Sequence, residues 1–445
     1  MSLPHIHLAI VGHTNTGKTS LVRTLLYHRG FGVVRDEAGT TRAIQEAQLM
    51  VGKERSVTLY DSPGLENAPA LFDWLETHAG QSRHRGPDRI RVFLDDVSAC
   101  QRFYQEAESL RLLLASDLAL YVCDVREPVL EKYQDELSIL GLCGRPIIIV
   151  LNFVKSPRSN ESEWRAALAG LGHHHIVAFD AVVRDPVSER RILDQAKIVI
   201  ERFVPTLDAW IAQRQSEESE RFDVGIQAIA SLLVDVADRQ YIVGKDASME
   251  NELAVFQSSI RAREQATVDL LLDLYRFGPE DYQGEALNLT AGRWRDDLFS
   301  PDTLKQYGIQ AGRYMGTGAG IGAAFDVATG GLSLGTGTLI GAVTGAGISA
   351  IQHVGGDLMD RWHGRVRLVC DVGTLRLLTW RQMRLLSGLR QRGHASQEPL
   401  TIQATDLWSN QPLPKSLKSP RLDQDTRINR VGIELAKAFE EVTHQ

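Results

Sequence analysis

Nine residues near the N-terminus, GHTNTGKTS (Gly12–Ser20), constrain this chain more than any other stretch. They fit the pattern G-x-x-x-x-G-K-[ST], in which each fixed position has its own chemical task. Gly12 and Gly17 let backbone N–H groups curl around phosphate oxygens at the start of a helix, whose dipole favours anions. Asn15 and Thr16 lie between them in the loop, Lys18 reaches the β- and γ-phosphates, and the Thr19 hydroxyl ligates Mg2+. The motif needs a strand before it and a helix after it. IHLAIV precedes it and SLVRTLLYH, beginning at Ser20, follows.

The same alternation continues downstream. Short apolar runs at Ile6–Val11, Val57–Tyr60, Leu118–Val122, Ile147–Leu151 and Ile176–Phe179 are separated by amphipathic segments such as Ser20–Tyr27 and Glu131–Leu140. This pattern predicts an α/β domain over 1–205, a three-layer, mainly parallel sheet with helices on both faces. From 206 to 311 the period becomes helical, as in FDVGIQAIASLLVDVADRQY. Residues 312–356 are Gly-rich and residues 357–445 are helical and locally basic, so the C-terminal half is expected to be mostly α-helical.

A second nucleotide signature follows at VTLYDSPG. Asp61 at the end of a strand would hold Mg2+ through water, and the Gly64 amide would contact the γ-phosphate. Between the two motifs, Thr41 in EAGTTRA is suited to close over Mg2+ and the γ-phosphate, or else is a plain loop residue. Lys18, Thr41 and Gly64 are therefore the expected catalytic set, and Thr19, Thr41 and Asp61 the expected Mg2+ set.

Taken together, GHTNTGKTS, AGTTR and DSPG resemble the TrmE–Era branch of the translation-factor-type GTPases over the first 200 or so residues. The whole chain resembles a bacterial group of GTPases with a C-terminal domain of unknown function. The resemblance implies GTP, GDP and Mg2+ as ligands. It also implies potassium, because TrmE-like relatives use a P-loop Asn to hold this ion, and Asn15 occupies that position. Potassium-stimulated hydrolysis on homodimerisation is one expectation; a purely loop-shaping Asn15 is the other. Ras-like enzymes place a water-orienting Gln after the D-x-x-G glycine. Here that residue is Leu65, so unaided hydrolysis is expected to be slow. Glu66, the following residue, is a candidate for positioning water, although an acidic residue in such a loop is more commonly solvated.

The base loop departs from the family pattern. RPIIIVLNFVKSPRS keeps Asn152 of N-K-x-D but has Phe153 and Lys155 where the family has Lys and Asp. The family Asp accepts hydrogen bonds from guanine, and Lys155 offers no acceptor. Phe153 is suited to stack on a purine. AFDA matches the last family loop, where the Ala181 amide would meet the base oxygen and Asp180 is a substitute acceptor. Loss of base contact across Asn152–Lys155 is the competing reading.

The chain has 445 residues and a formal net charge of −7, which argues against a protein that coats nucleic acid. Its four cysteines form no C-x-x-C pair, arguing against a zinc knuckle, and the neighbouring histidines of GHHHI diverge too much for a metal site. The N-terminus carries no signal-peptide pattern, so the protein is expected in the cytoplasm, free or at the inner face of the membrane. Small residues recur every four positions, at Gly312, Gly316, Gly320, Ala324 and Ala328, then at Ser333, Gly337, Gly341, Gly345 and Ser349. They suit a closely packed helical hairpin that enters or touches a membrane, a buried or oligomeric contact, or a loop. Residues 361–392 carry eight Arg against one Asp, with Trp362 and Trp380. An anionic membrane surface met by 312–392, an RNA backbone, or a solvated helix face packed by Leu377, Leu378, Leu385 and Leu386 all fit. The functional expectation is a GTP-binding switch acting through its helical half at a membrane or an unidentified protein complex. The alternatives are an RNA- or ribosome-associated assembly GTPase and a non-hydrolysing nucleotide-binding module.

Overall fold

The computed structural model describes residues 5–26, 44–79, 86–180, 186–244, 247–277, 289–290, 293–294, 296–300, 303, 366–391, 412–419 and 422–443. The chain divides into two compact units, Met1–Glu218 with Gln391–Gln397, and Ser219–Arg390 with Glu398–Gln445.

The first unit is built on six strands: β1 (His5–Val11), β2 (Gln45–Val51), β3 (Arg55–Asp61), β4 (Leu118–Asp124), β5 (Ile147–Asn152) and β6 (Ile176–Ala178). Their order is β2-β3-β1-β4-β5-β6. Every pairing is parallel except β2 with β3. Successive side chains of a strand point to opposite faces, and both faces here are buried. Ile6, Leu8 and Ile10 of β1 enter one core with Leu118, Leu120 and Val122 of β4. Ala9 and Val11 enter the other with Ala119, Tyr121 and Cys123.

Helices α1 (Lys18–Leu26), α8 (Pro186–Val199) and the first part of α9 (Val204–Asp238) cover the first face through Leu21, Ile192 and Trp210. On the opposite face lie α2 (Ala68–Ala79), α3 (Gly86–Asp95), α5 (Tyr104–Ala115), α6 (Glu131–Leu142) and α7 (Glu161–Gly170), with the short α4 (Val97–Arg102) beside them. Among the described residues, the long stretch between Gly64 and Leu118 thus forms four helices, α2–α5. Strand β2 was missed in the sequence because QEAQLMV alternates half-exposed with exposed residues along a sheet edge and has no apolar run.

The second unit is mainly helical. The later part of α9 packs with α10 (Met249–Leu274), α11 (Val372–Gln391) and α12 (Gln424–Thr443) around one apolar core. A short antiparallel pair, β7 (Gln240–Val243) with β8 (Val366–Val369), ties the chain on either side of the long Gly-rich stretch. Described residues from Ile226 to Phe299 and from Leu368 to Phe439 therefore share one core, while Leu207, Trp210 and Ile211 belong to the first unit. At Gly225 of α9 a Cβ would lie 3.0 Å from the Leu386 side chain, which shows how closely α9 and α11 approach.

Helix α11 differs from the surface-facing element that its arginines suggest. Leu377, Leu378, Leu385 and Leu386 are fully buried, and so is Arg381, while Arg384 and Trp380 are each only 8% exposed. The Arg381 guanidinium donates to the Asp296 carbonyl at 2.8 Å, faces the Glu264 carboxylate at 3.7 Å and lies over the Trp294 ring. The Arg384 guanidinium lies over the Trp380 ring, 4.3 Å from its centroid. These groups belong to a core helix and are not presented to a lipid or RNA surface. Trp362 and the Gly-rich stretch 312–356 lie outside the described residues. Among the described residues, no helix is long and apolar enough to cross a membrane.

Candidate functional site

Strand β1 has β3 on one side and β4 on the other, so the connections diverge at its carboxyl end, where a crevice opens in sheets of this kind. The loop Gly12–Gly17 occupies that point. Asn15 at its crest is exposed and left-handed (φ 63°), and Gly12 and Gly17 also have positive φ. At Gly17 the need for glycine is doubled: a Cβ would lie 2.2 Å from Asn152 Nδ2. That amide donates to the Thr16 carbonyl at 2.9 Å, fastening β5 to the loop. The Thr16 hydroxyl donates to the His13 carbonyl at 3.0 Å.

The Lys18 ammonium folds back over the loop, donating to the Gly12 carbonyl at 3.1 Å and the His13 carbonyl at 2.7 Å. Burial depresses its pKa, and the carboxylates of Asp61, Glu136 and Glu66 oppose that shift. The Thr19 hydroxyl donates to Asp61 Oδ2, so two hard oxygen donors stand side by side. That donor chemistry suits Mg2+. Ser20 follows in α1, its carbonyl accepting from the Thr24 hydroxyl.

After Asp61 the chain returns across the mouth of the loop. The Ser62 N–H donates to the Ile10 carbonyl at 3.2 Å and the Leu65 N–H to the Gly12 carbonyl at 3.3 Å. Gly64 is pressed so closely on Thr14 that a Cβ would lie 2.8 Å from its backbone nitrogen. Leu65 turns into the core, and the next residue, Glu66, is exposed and accepts from the Thr14 hydroxyl at 2.7 Å. Helix α5 braces this segment: Glu106 accepts from the Asn67 N–H at 2.8 Å and the Ser109 hydroxyl donates to the Pro63 carbonyl at 3.2 Å.

A buried network supports the loop from behind. His13 Nδ1 faces two acceptors, Glu136 Oε1 at 2.7 Å and the Leu65 carbonyl at 3.1 Å, so this nitrogen carries the proton. Its Nε2 then accepts from Lys132 at 3.1 Å. Tyr121, whose pKa is pushed far up by burial and by Glu136, donates to Glu136 Oε2 at 2.7 Å. No sequence signal announces this group, because its members come from the loop, β4 and α6 and share no motif.

At the carboxyl end of β5, Asn152 Oδ1 accepts from the Phe153 N–H at 2.9 Å, and Phe153 is left-handed (φ 64°), unusual for a bulky residue. Its ring passes near Gly17, where a Cβ would lie 3.6 Å from Cζ. The Arg126 guanidinium covers the ring 3.7 Å from its centroid and is itself held by Asp124 at 2.7 Å. Asp180 is buried, and its carboxylate accepts from the Lys155 N–H at 3.2 Å. The structure thus brings Gly12, Asn15, Thr16, Gly17, Lys18, Thr19, Asp61 and Gly64 together around one loop, with Asn152, Phe153 and Asp180 beside it. Thr41 and Ala181 lie outside the described residues. Arg126 and Asp124 were missed, since only the fold carries them over Phe153.

Comparison with known proteins agrees with this architecture. Residues 165–437, more than half of the chain, match the model of a family described as a domain of unknown function, DUF3482. The chain belongs to that family. Residues 7–153 match the model described as "50S ribosome-binding GTPase", and the N-terminal unit carries a P-loop GTPase domain. Among curated relatives, the tRNA modification GTPase MnmE of Parvibaculum lavamentivorans is 35% identical over 122 residues, 27% of this chain and 27% of that protein. GTPase Der of Myxococcus xanthus is 26% identical over 150 residues, 33% of this chain and 26% of that protein. The chain therefore spans about a quarter of the length of these relatives. A solved Aquifex aeolicus Era matches at 14% identity over 61% of this chain and 90% of that one, with a TM-score of 0.32, too low to bear on function.

Proposed function

We propose that this DUF3482 protein is a GTP-binding switch that hydrolyses GTP slowly when alone and faster in potassium. The observation that carries the reading is the single cluster formed by the Gly12–Gly17 loop, Lys18 and the Thr19–Asp61 pair. The loop's N–H groups would receive phosphate oxygens, and the Lys18 ammonium would exchange its two loop carbonyls for the β- and γ-phosphates. Releasing a buried ammonium from neutral carbonyls to an anion favours nucleotide binding. Thr19 and Asp61 would hold Mg2+, directly and through water respectively, and this ion supplies positive charge at the phosphates when bound. Thr41 would complete the expected Mg2+ set. Asn15, exposed at the crest of the loop, would offer its side-chain oxygen to potassium, and a second copy docked across the nucleotide face would close that site. Leu65 faces the core, which is consistent with slow turnover.

Phe153, capped on one face by Arg126, would offer its ring to the base, with Asp180 and the Ala181 amide supplying polar contacts. A stack of this kind tolerates any base, so guanine selectivity would rest on those polar contacts. The switch would act through the helical unit on a protein complex or a membrane. In the membrane case the Gly-rich stretch is the segment suited to make contact, since the arginines of α11 described above are buried.

The test is competition of a fluorescent GDP by GTP, ATP and XTP in Mg2+, in potassium and in sodium, with Lys18→Ala as control. Preference for GTP, loss of binding in the control and faster turnover in potassium uphold the reading; equal competition by ATP sinks the guanine assignment. A second reading, action on RNA or ribosomes, is favoured by the description of the model that residues 7–153 match and by the name of the MnmE relative. Salt-sensitive, GTP-dependent cosedimentation with ribosomal particles would select it.

A further inference from the structure

Resting on the reading above, we propose that Glu66 is the catalytic residue that holds the attacking water, and that Thr14 keeps it in place. The position after Gly64 is closed to this task, because Leu65 is 1% exposed and packs in the core beneath the sheet. That turn of the chain sends the next side chain outward. Glu66 is solvent-exposed and its carboxylate accepts the Thr14 hydroxyl proton at 2.7 Å. Thr14 is itself pinned, since its backbone lies against Gly64 closely enough that a Cβ there would sit 2.9 Å from Thr14 Cα. The carboxylate is therefore carried at the mouth of the loop, near enough to Lys18 to oppose, less than Asp61 and Glu136 do, the lowering of that ammonium's pKa by burial. Lys18 serves the γ-phosphate end of the nucleotide, so Glu66 stands where water must approach.

One carboxylate oxygen would keep the Thr14 bond while the other accepts a hydrogen bond from water and orients its lone pair toward the γ-phosphorus. The water oxygen then bonds to that phosphorus, and the bond from phosphorus to the β–γ bridging oxygen breaks. Its electron pair stays on GDP, and the water proton ends on the inorganic phosphate. Glu66 is unchanged at the end. The buried network of His13 and Glu136 fixes the backbone on which both partners sit, through the Leu65 carbonyl.

The experiment compares wild type with Glu66→Ala, Glu66→Gln and Thr14→Val. It reads single-turnover hydrolysis, affinity for fluorescent GDP, and assembly of the GDP–aluminium fluoride complex, which mimics the transition state. Glu66 is exposed, so its substitution leaves the fold intact. Glu66→Ala is expected to slow hydrolysis roughly 100-fold and abolish the aluminium fluoride complex, while GDP affinity stays within about 2-fold. Glu66→Gln, whose amide oxygen still accepts from water, is expected to recover most of both. Thr14→Val is expected to lose roughly 10-fold, since it removes only the tether. Hydrolysis by Glu66→Ala within about 3-fold of wild type overturns the proposal. So does a loss of the aluminium fluoride complex matched by an equal loss of GDP binding. If wild type itself neither binds GDP nor hydrolyses GTP, it is the proposed function that fails.

Discussion

Replacing Arg381 with Ala separates a core helix from a surface helix. On an exposed basic face, such a change would alter stability by no more than about 0.5 kcal/mol. In the structure it removes a fully buried guanidinium that donates to the Asp296 carbonyl at 2.8 Å and faces Glu264 at 3.7 Å. Glu264 is 4% exposed and also accepts from the Gln382 amide at 3.4 Å, a neutral donor that would leave its charge uncompensated in the core. Removing one member of a buried pair costs about 3–5 kcal/mol. Amide exchange in α10 and α11, followed by mass spectrometry, reads the second unit locally and should lose about two to three orders of magnitude of protection. The pH dependence has a definite sign. Burial already raises the Glu264 pKa above the ordinary carboxylate value, with Arg381 opposing the shift. Without Arg381 it rises further. The folded state then holds a proton that the unfolded chain releases, so stability falls as pH climbs from the ordinary Glu range through the raised value. The penalty should be largest at neutral pH and shrink as the pH is lowered towards the ordinary Glu range. Replacing Arg381 and Glu264 together by Leu should recover most of the loss, since an apolar pair substitutes well for a buried ionic one. A change below about 0.5 kcal/mol at pH 7, or a penalty that grows in acid, would refute the assignment of α11 to the core.

Three further outcomes follow from the nucleotide site. Asn152→Ala removes the donor to the Thr16 carbonyl and the acceptor for the Phe153 N–H, both at 2.9 Å. GDP affinity, measured by fluorescence titration, should fall roughly 10-fold, and an unchanged affinity would mean that the loop needs no support from β5. Thr19→Ala should raise the Mg2+ concentration required for half-maximal nucleotide binding by at least roughly 10-fold while leaving Mg2+-free binding of GDP nearly intact. Phe153→Ala should weaken GTP and ATP by a similar factor of roughly 10, because a ring stack is worth about 1–3 kcal/mol and does not discriminate between bases. A selective loss of one purine in competition assays would show that Phe153 reads the base edge.

Much of the first unit can be read directly from the chain. Parallel strands buried on both faces announce themselves as apolar runs, and five of the six were found that way. The sixth, β2, is an edge strand that alternates in exposure and carries Glu46, so hydropathy could not reveal it. The phosphate loop was legible because its chemistry is local: glycines for positive φ, a lysine and a hydroxyl at fixed spacing. The base region was legible only as a departure from pattern. That Arg126, held locally by Asp124, covers Phe153 depends on β4 lying beside β5.

The second unit shows where sequence reasoning stops. Eight arginines in a short stretch suggest a charged surface, since an isolated buried charge is prohibitively costly. What the stretch does not contain is Glu264, the Asp296 carbonyl and the Trp294 ring, which come from distant parts of the chain. The sequence by itself determined a phosphate-binding α/β unit followed by helices, because local spacing fixes loop chemistry and periodicity fixes which faces are apolar. Tertiary structure alone decided that Leu65 turns inward and leaves Glu66 at the mouth of the loop, and that Arg381 lies in a core. Both depend on groups far apart in the chain, which only folding brings within hydrogen-bonding distance.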